Sequence, residues 1–165
     1  MKTLLSLGLA VLLSLPCMAQ NNDLPPYKKV PYFPPVKLLL ADSTTVYQKD
    51  DLPKKTPVLL MYFNPKCEHC QKIAEEITAS QDKFKNIHII MATSMHFDSL
   101  QVFRDRFMPG GHRNVVMAFD PGFFLMHFFQ VNRMPFIALY NEWKELIGGY
   151  DGGIPAAQIL KAFGK

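Results

Sequence analysis

No stretch of this sequence carries a stripe of positive charge, although the net charge is +4. Lysines and arginines are scattered, with only short pairs such as Lys28-Lys29 and Lys54-Lys55. That excludes the basic face that nucleic-acid binding takes, and the pairs read as solvated surface. No apolar run is long enough for a membrane-spanning helix, which takes about 20 residues. No internal repeat and no second domain can be traced. Metal-ligand spacing is missing too: a lone C-x-x-C supplies half of a structural zinc site, and His88, His96, His112 and His127 stand outside finger spacing. The nine methionines do not compensate, because Met61, Met91 and Met117 fall inside expected strands and read as core filler. Neither a metal nor a bound cofactor is expected.

What is present suits one globular domain with a real core: 165 residues, 48% hydrophobic and 19% charged. The opening "MKTLLSLGLAVLLSLPCMAQ" has one positive charge, Lys2, then an apolar run from Leu4 to Leu15, a breaker at Pro16 and the small Ala19. This is the layout of a cleaved secretory signal, here 1–19. Cleavage after Ala19 removes Cys17 and leaves Cys67 and Cys70 in an oxidising compartment, periplasmic or secreted. The alternative is lipid attachment at Cys17, the one route by which the protein would sit on a membrane; Pro16 stands where such sites carry a small residue.

Residues 20–35, including "NNDLPPYKKVPYFPP", are Pro-rich and expected to be extended and solvated, a leader or a wrap along a strand edge. The domain proper spans 36–165. Val36 to Leu40 reads as a strand, "ADST" as a turn and Thr45 to Tyr47 as a short return strand. "VLLMYFN" (58–64) is a continuous apolar run bounded by Pro57 and Pro65, as expected of a buried central strand. A helix follows, with Cys67, Cys70, Ile73, Ala74 and Ile77 at spacings of three and four. A second buried strand covers 86–93. Next comes a helix with Leu100, Phe103 and Phe107 on one face, capped by Asp98 or Ser99 and ended by Pro109-Gly110-Gly111. "NVVMAF" (114–119) is a short strand. "PGFFLMHFFQV" is apolar nearly all round and starts at Pro121, so it is either deeply buried or partly covered by a partner. A strand over 134–140, a turn at "NEWK", a strand "ELIGGY" and a last helix with Pro155 in its first turn complete the chain. Strand–helix alternation followed by a hairpin predicts an α/β domain with a central mixed sheet and helices on both faces.

The two retained cysteines admit three readings: a small staple, half of a metal site, or a dithiol that does chemistry. A loop this short makes a weak staple, since loop-closure stabilisation grows with loop length. The metal reading wants more ligands. The redox reading fits the local mechanics. Cys67 falls at the first turn of a helix, where free N–H groups and the positive dipole end favour thiolate over thiol. Cys70 lies one turn on, on the same face, able to resolve a mixed disulfide formed at Cys67. Lys66 and a protonated His69 support the thiolate, and Glu68 opposes them.

"VLLMYFNPKCEHC" followed by a helix, with "RMPFIALY" far downstream, resembles the thioredoxin-like proteins, in particular the TlpA-like thiol–disulfide proteins of the bacterial envelope. The resemblance implies a thioredoxin-like three-layer α/β/α fold over about 33–165. It also implies a cis-proline at Pro135, with the backbone of Met134 docking an extended substrate segment against Cys67. The implied function is a secreted or periplasmic thiol–disulfide oxidoreductase, reductive in direction. Its partners would be protein dithiols or disulfides and an envelope electron donor or acceptor. The rivals are oxidation or isomerisation by the same fold, and a non-catalytic copper- or protein-binding module. The sequence departs from the family pattern in four places. Lys66 replaces the usual Trp and His69 the usual Pro, while Met61 and Ile73 stand where relatives carry acids. Glu75 is near in sequence but on another helix face, so the acceptor of the Cys70 proton is not identified.

Overall fold

The computed structural model describes residues 24–165. The expected signal, its cleavage point and Cys17 lie outside the described residues.

Seven strands form one mixed sheet: β1 (Lys37–Leu40), β2 (Val46–Gln48), β3 (Val58–Tyr62), β4 (His88–Thr93), β5 (Val115–Phe119), β6 (Phe136–Tyr140) and β7 (Leu146–Asp151). Their spatial order is β2-β1-β5-β4-β3-β6-β7. β3, β4 and β5 run parallel, and β6 and β7 are antiparallel additions. β3, β4 and β6 are buried at every position, as uninterrupted apolar runs demand when both faces of a sheet are covered. In the central register, Leu60 sits between Ile90 and Ala138.

Strand alternation splits the interior into two cores. Leu59, Met61, Ile89, Met91, Ile137 and Leu139 face α2 (Glu68–Ala79), α4 (Phe97–Phe107) and α6 (Ala156–Ala162). Val58, Leu60, Tyr62, Ile90, Phe136 and Ala138 face α1 (Pro26–Lys29) and α5 (Phe124–Phe129). A short α3 (Gln81–Phe84) follows α2. The layers are therefore helix, sheet, helix. α2 buries Cys70, Ile73, Ala74 and Ile77, one apolar stripe. Its Glu76 carboxylate accepts a bond from the Ala156 N–H at 2.9 Å, tying the first turn of α6 to α2.

Three local expectations are corrected. The Pro-rich stretch is neither extended nor solvated throughout: Pro26–Lys29 is helical, Tyr32 bridges to Glu145 beside the start of β7 as a strand-edge wrap would, and Tyr27 and Phe33 are buried, Tyr27 edge-on to Phe129 and Phe136, and Phe33 against Tyr140. Proline removes donors and apolar period from the pattern, but it leaves the aromatic rings free to bury area. α4 starts earlier than its expected cap, because the His96 ring accepts from the Asp98 N–H and takes the N-cap position. α5 does not start at Pro121. The buried Asp120 carboxylate accepts from the Phe124 and Leu125 N–H groups at 3.1 and 2.9 Å and sets the start three residues later. α5 buries Leu125 and Phe129 and leaves Phe124 and Met126 exposed, as is Phe123 at its N-cap.

Candidate functional site

The chain passes from β3 to β4 to β5 in one direction across the sheet, then crosses back to lay β6 on the other side of β3. The carboxyl end of β3 lies at this reversal, the place where open α/β sheets form a crevice. β3 leads there into Phe63, Asn64, Pro65, Lys66 and Cys67. Asn64 makes the turn tight: its carbonyl accepts from Cys67 N at 3.0 Å and its side-chain oxygen from Lys66 N at 2.9 Å. Pro65 cannot continue a strand interior, and its carbonyl accepts from the Gln71 side chain at 2.9 Å.

Cys67 is the N-cap residue of α2, and its Sγ accepts from the Cys70 N–H at 3.3 Å. The sulfur thus takes the place of the hydroxyl or carboxylate that usually satisfies a free first-turn donor. Cys67 is half-buried and Cys70 fully buried, and both are free thiols. Burial pushes the Cys70 thiol well above its ordinary range. The hydrogen bond to Cys67 adds to the effect, and a backbone contact at Asn64 opposes it in part.

The opposite wall is the start of β6. The Met134 carbonyl lies 3.9 Å from Cys67 Sγ, and the Met134–Pro135 peptide is cis. Met134 packs against both cores, which fixes this edge from both faces of the sheet. Of the flanking residues, Lys66, Glu68 and His69 are all exposed. His69 alone of these reaches the far wall, donating from Nε2 to the Gly152 carbonyl at 2.9 Å. Lys66 borders a cleft of about 420 Å³ between the start of α2 and α4, with Val102, Phe103 and Arg106 across from it. Glu75 is exposed on α2, and Glu76 is engaged by α6. Among the described residues no group of three or more His, Cys, Asp or Glu could hold a metal ion. His88 bonds the Tyr47 hydroxyl at 2.8 Å at the far end of the sheet.

The sequence reading missed the third wall, the turn after β7. Asp151 accepts from Asn132 N and Arg133 N at 3.1 and 2.9 Å, and Gly152 N reaches both the Arg133 and Pro135 carbonyls. Gly153 abuts Ile73 of α2 and the Pro135 ring. The Gly152-Gly153 doublet closing a strand was the available signal.

No family model and no curated protein matches the chain. Solved structures do. A secreted Mycobacterium tuberculosis disulfide oxidoreductase, described as homologous to Escherichia coli DsbE, is 10% identical with a TM-score of 0.65, over 79% of this chain and 96% of that one. Mycobacterium tuberculosis DsbF, in mixed oxidised and reduced forms, is 14% identical with a TM-score of 0.65, over 78% and 92% of the two chains. Bacillus subtilis StoA is 14% identical with a TM-score of 0.60, over 79% and 99%. At such identities the likeness establishes the fold alone: this chain has the thioredoxin-like fold.

Proposed function

We propose that the protein is a thiol–disulfide oxidoreductase that reduces disulfides in protein clients outside the cytoplasm. The observation that carries this reading is the unequal pair of sulfurs. Cys67 is reachable at a helix N-terminus, and Cys70 lies buried one turn beneath it with its thiol held protonated. Two equivalent thiols would compete for the client; an unequal pair imposes an order. The Cys67 thiolate attacks a client disulfide, forming a Cys67–client bond and releasing one client thiolate. Cys70 then attacks Cys67 Sγ, its proton passing to the client sulfur that departs. The Cys67–Cys70 disulfide forms, the second client sulfur leaves as a thiol, and two electrons have passed to the client. An envelope dithiol partner returns them, so no bound cofactor is required.

Met134 and Pro135 form the docking edge in this reading. The half-buried Met134 backbone offers its carbonyl beside Cys67 to an extended client segment, the geometry of strand addition. Lys66, Glu68 and His69 surround the entrance. Export rests on the opening sequence and on the likeness to the Mycobacterium tuberculosis disulfide oxidoreductase that is described as secreted. Among the described residues no helix is long and apolar enough to cross a membrane.

The test is a pair of assays on the purified protein. Insulin reduction in the presence of a dithiol should be catalysed, and the Cys67–Cys70 couple should equilibrate with glutathione at about −270 mV or lower. A potential near that of strong oxidants, with catalysed oxidation of a reduced client, would reverse the direction. Absence of both activities would remove the enzymatic reading.

A further inference from the structure

We infer that His69 is a positioning residue whose Nε2–H clasps the Gly152 carbonyl and so holds the Met134 edge at its distance from Cys67. The inference rests on the proposed exchange reaction for its purpose, though not for its geometry. A carbonyl oxygen only accepts, so the 2.9 Å contact requires the hydrogen on Nε2. His69 sits between the two cysteines, in the first turn of α2. Gly152 is on the turn after β7, far away in sequence.

The clasp closes a ring of contacts around the reacting sulfur. From Cys67 the ring runs along α2 to His69 and across to Gly152. The Gly152 N–H then bonds the Arg133 and Pro135 carbonyls at 3.2 and 3.1 Å. These residues flank Met134, whose carbonyl returns to Cys67 Sγ at 3.9 Å. Arg133 locks the ring a second time, donating from Nη2 to the Asp151 carbonyl at 3.0 Å. Without His69, hydrogen bonds tie the turn to β6 but not to the helix that carries the dithiol, and only the packing of Gly153 on Ile73 joins it to α2. Across the mouth the two walls are then left with the long 3.9 Å contact between Cys67 Sγ and the Met134 carbonyl. A histidine between the cysteines is expected to act electrostatically on the sulfur; the geometry assigns this one to the opposite wall.

The proposal predicts a loss in docking more than in chemistry. His69→Ala should lower kcat/KM for a protein disulfide client by roughly three- to tenfold, carried in KM, the range expected for one hydrogen bond. His69→Gln, which keeps an N–H donor at the end of a side chain, should restore most of it. The Gly152 carbonyl-carbon chemical shift, read by NMR, gives an answer that does not depend on activity, because a carbonyl that accepts a hydrogen bond resonates downfield of one that does not. It should move upfield in the His69→Ala protein and stay near the wild-type position in the His69→Gln protein. An unchanged Gly152 carbonyl shift in His69→Ala overturns the clasp, as does a kinetic loss carried in kcat or one that Gln leaves unrepaired. If the wild-type protein exchanges no disulfides, the functional reading fails, and the Gly152 carbonyl shift still decides the clasp.

Discussion

Replacing Gly153 by alanine tests whether the third wall is built as tightly as it looks. Gly153 has φ +73°. A Cβ there would lie 2.9 Å from Ile73 Cδ1 and 2.9 Å from Pro135 Cγ. Ile73 is buried in the α2 core and the Pro135 ring cannot rotate away, so neither neighbour yields easily. The left-handed backbone alone costs an alanine about 1–2 kcal/mol. Overpacking a filled site adds about 1–3 kcal/mol. The expected total is about 2–5 kcal/mol, a large share of the stability of an ordinary domain. With an m-value of about 2 kcal/mol/M, the urea midpoint should fall by about 1–2.5 M. Gly152→Ala is the internal control. Gly152 also has positive φ, +95°, but its nearest neighbour would be the flexible Arg133 side chain at 3.4 Å. That variant should lose the backbone part only. The difference between the two midpoints then isolates the wedge between α2 and Pro135. Equal losses would refute the reasoning, because a tight wall cannot accept a methyl group as readily as an open one.

Four further outcomes follow from the same geometry. Brief alkylation of the reduced, folded protein at neutral pH should mark Cys67 and spare Cys70, read by peptide mass spectrometry; equal labelling would contradict the unequal pair. Cys70→Ser should arrest exchange at the Cys67–client disulfide, visible as a higher-mass species on a non-reducing gel, whereas Cys67→Ser should form none. The raised Cys70 pKa also makes the reduced protein sensitive to alkali. The unfolded thiol releases its proton near pH ~8.5 while the native one keeps it, so the native state binds more protons above that pH and stability falls as pH rises. The urea midpoint of the reduced wild type should therefore drop more steeply between pH 8 and 10 than that of Cys70→Ala, and parallel slopes would count against it. Finally, Asp120→Ala leaves the Phe124 and Leu125 donors without their partner and should cost about 1–3 kcal/mol in thermal or urea unfolding; a loss below a few tenths would show that α5 holds its own start.

Much of the frame was legible because its signals are local. β3, β4 and β6 read as strands since each is a short apolar run with turn residues at its ends, and α2 read as a helix since Cys70, Ile73, Ala74 and Ile77 repeat at one face. Where the expectation failed, a specific competing contact won. The His96 ring displaced Asp98 as the cap of α4, and a strand-end carboxylate, Asp120, displaced Pro121 as the start of α5. Tyr27 and Phe33 were hidden by prolines that erase periodicity without preventing burial. The clasp was out of reach for a different reason. His69 and Gly152 stand 83 residues apart in the chain, and no periodic pattern in either segment points to the other.

The unequal sulfurs, by contrast, follow from one fact about helices. Cys67 stands at the N-cap, outside the hydrogen-bonded turn, where a side chain folds over the free N–H groups. Three residues on, Cys70 has entered the repeat of Ile73, Ala74 and Ile77 and shares their burial. The spacing alone therefore gives the first sulfur access and the second a dry, raised thiol. Any change that shifts α2 by one residue along its axis would rotate Cys70 by about a quarter turn, since an α-helix has 3.6 residues per turn. That would carry it off the apolar stripe and erase the difference between the two thiols. The burial of Ile73 and Ile77 in the core they share with Leu59 and Met61 holds α2 in this register, and in the proposed reaction that register sets the order of the two exchange steps.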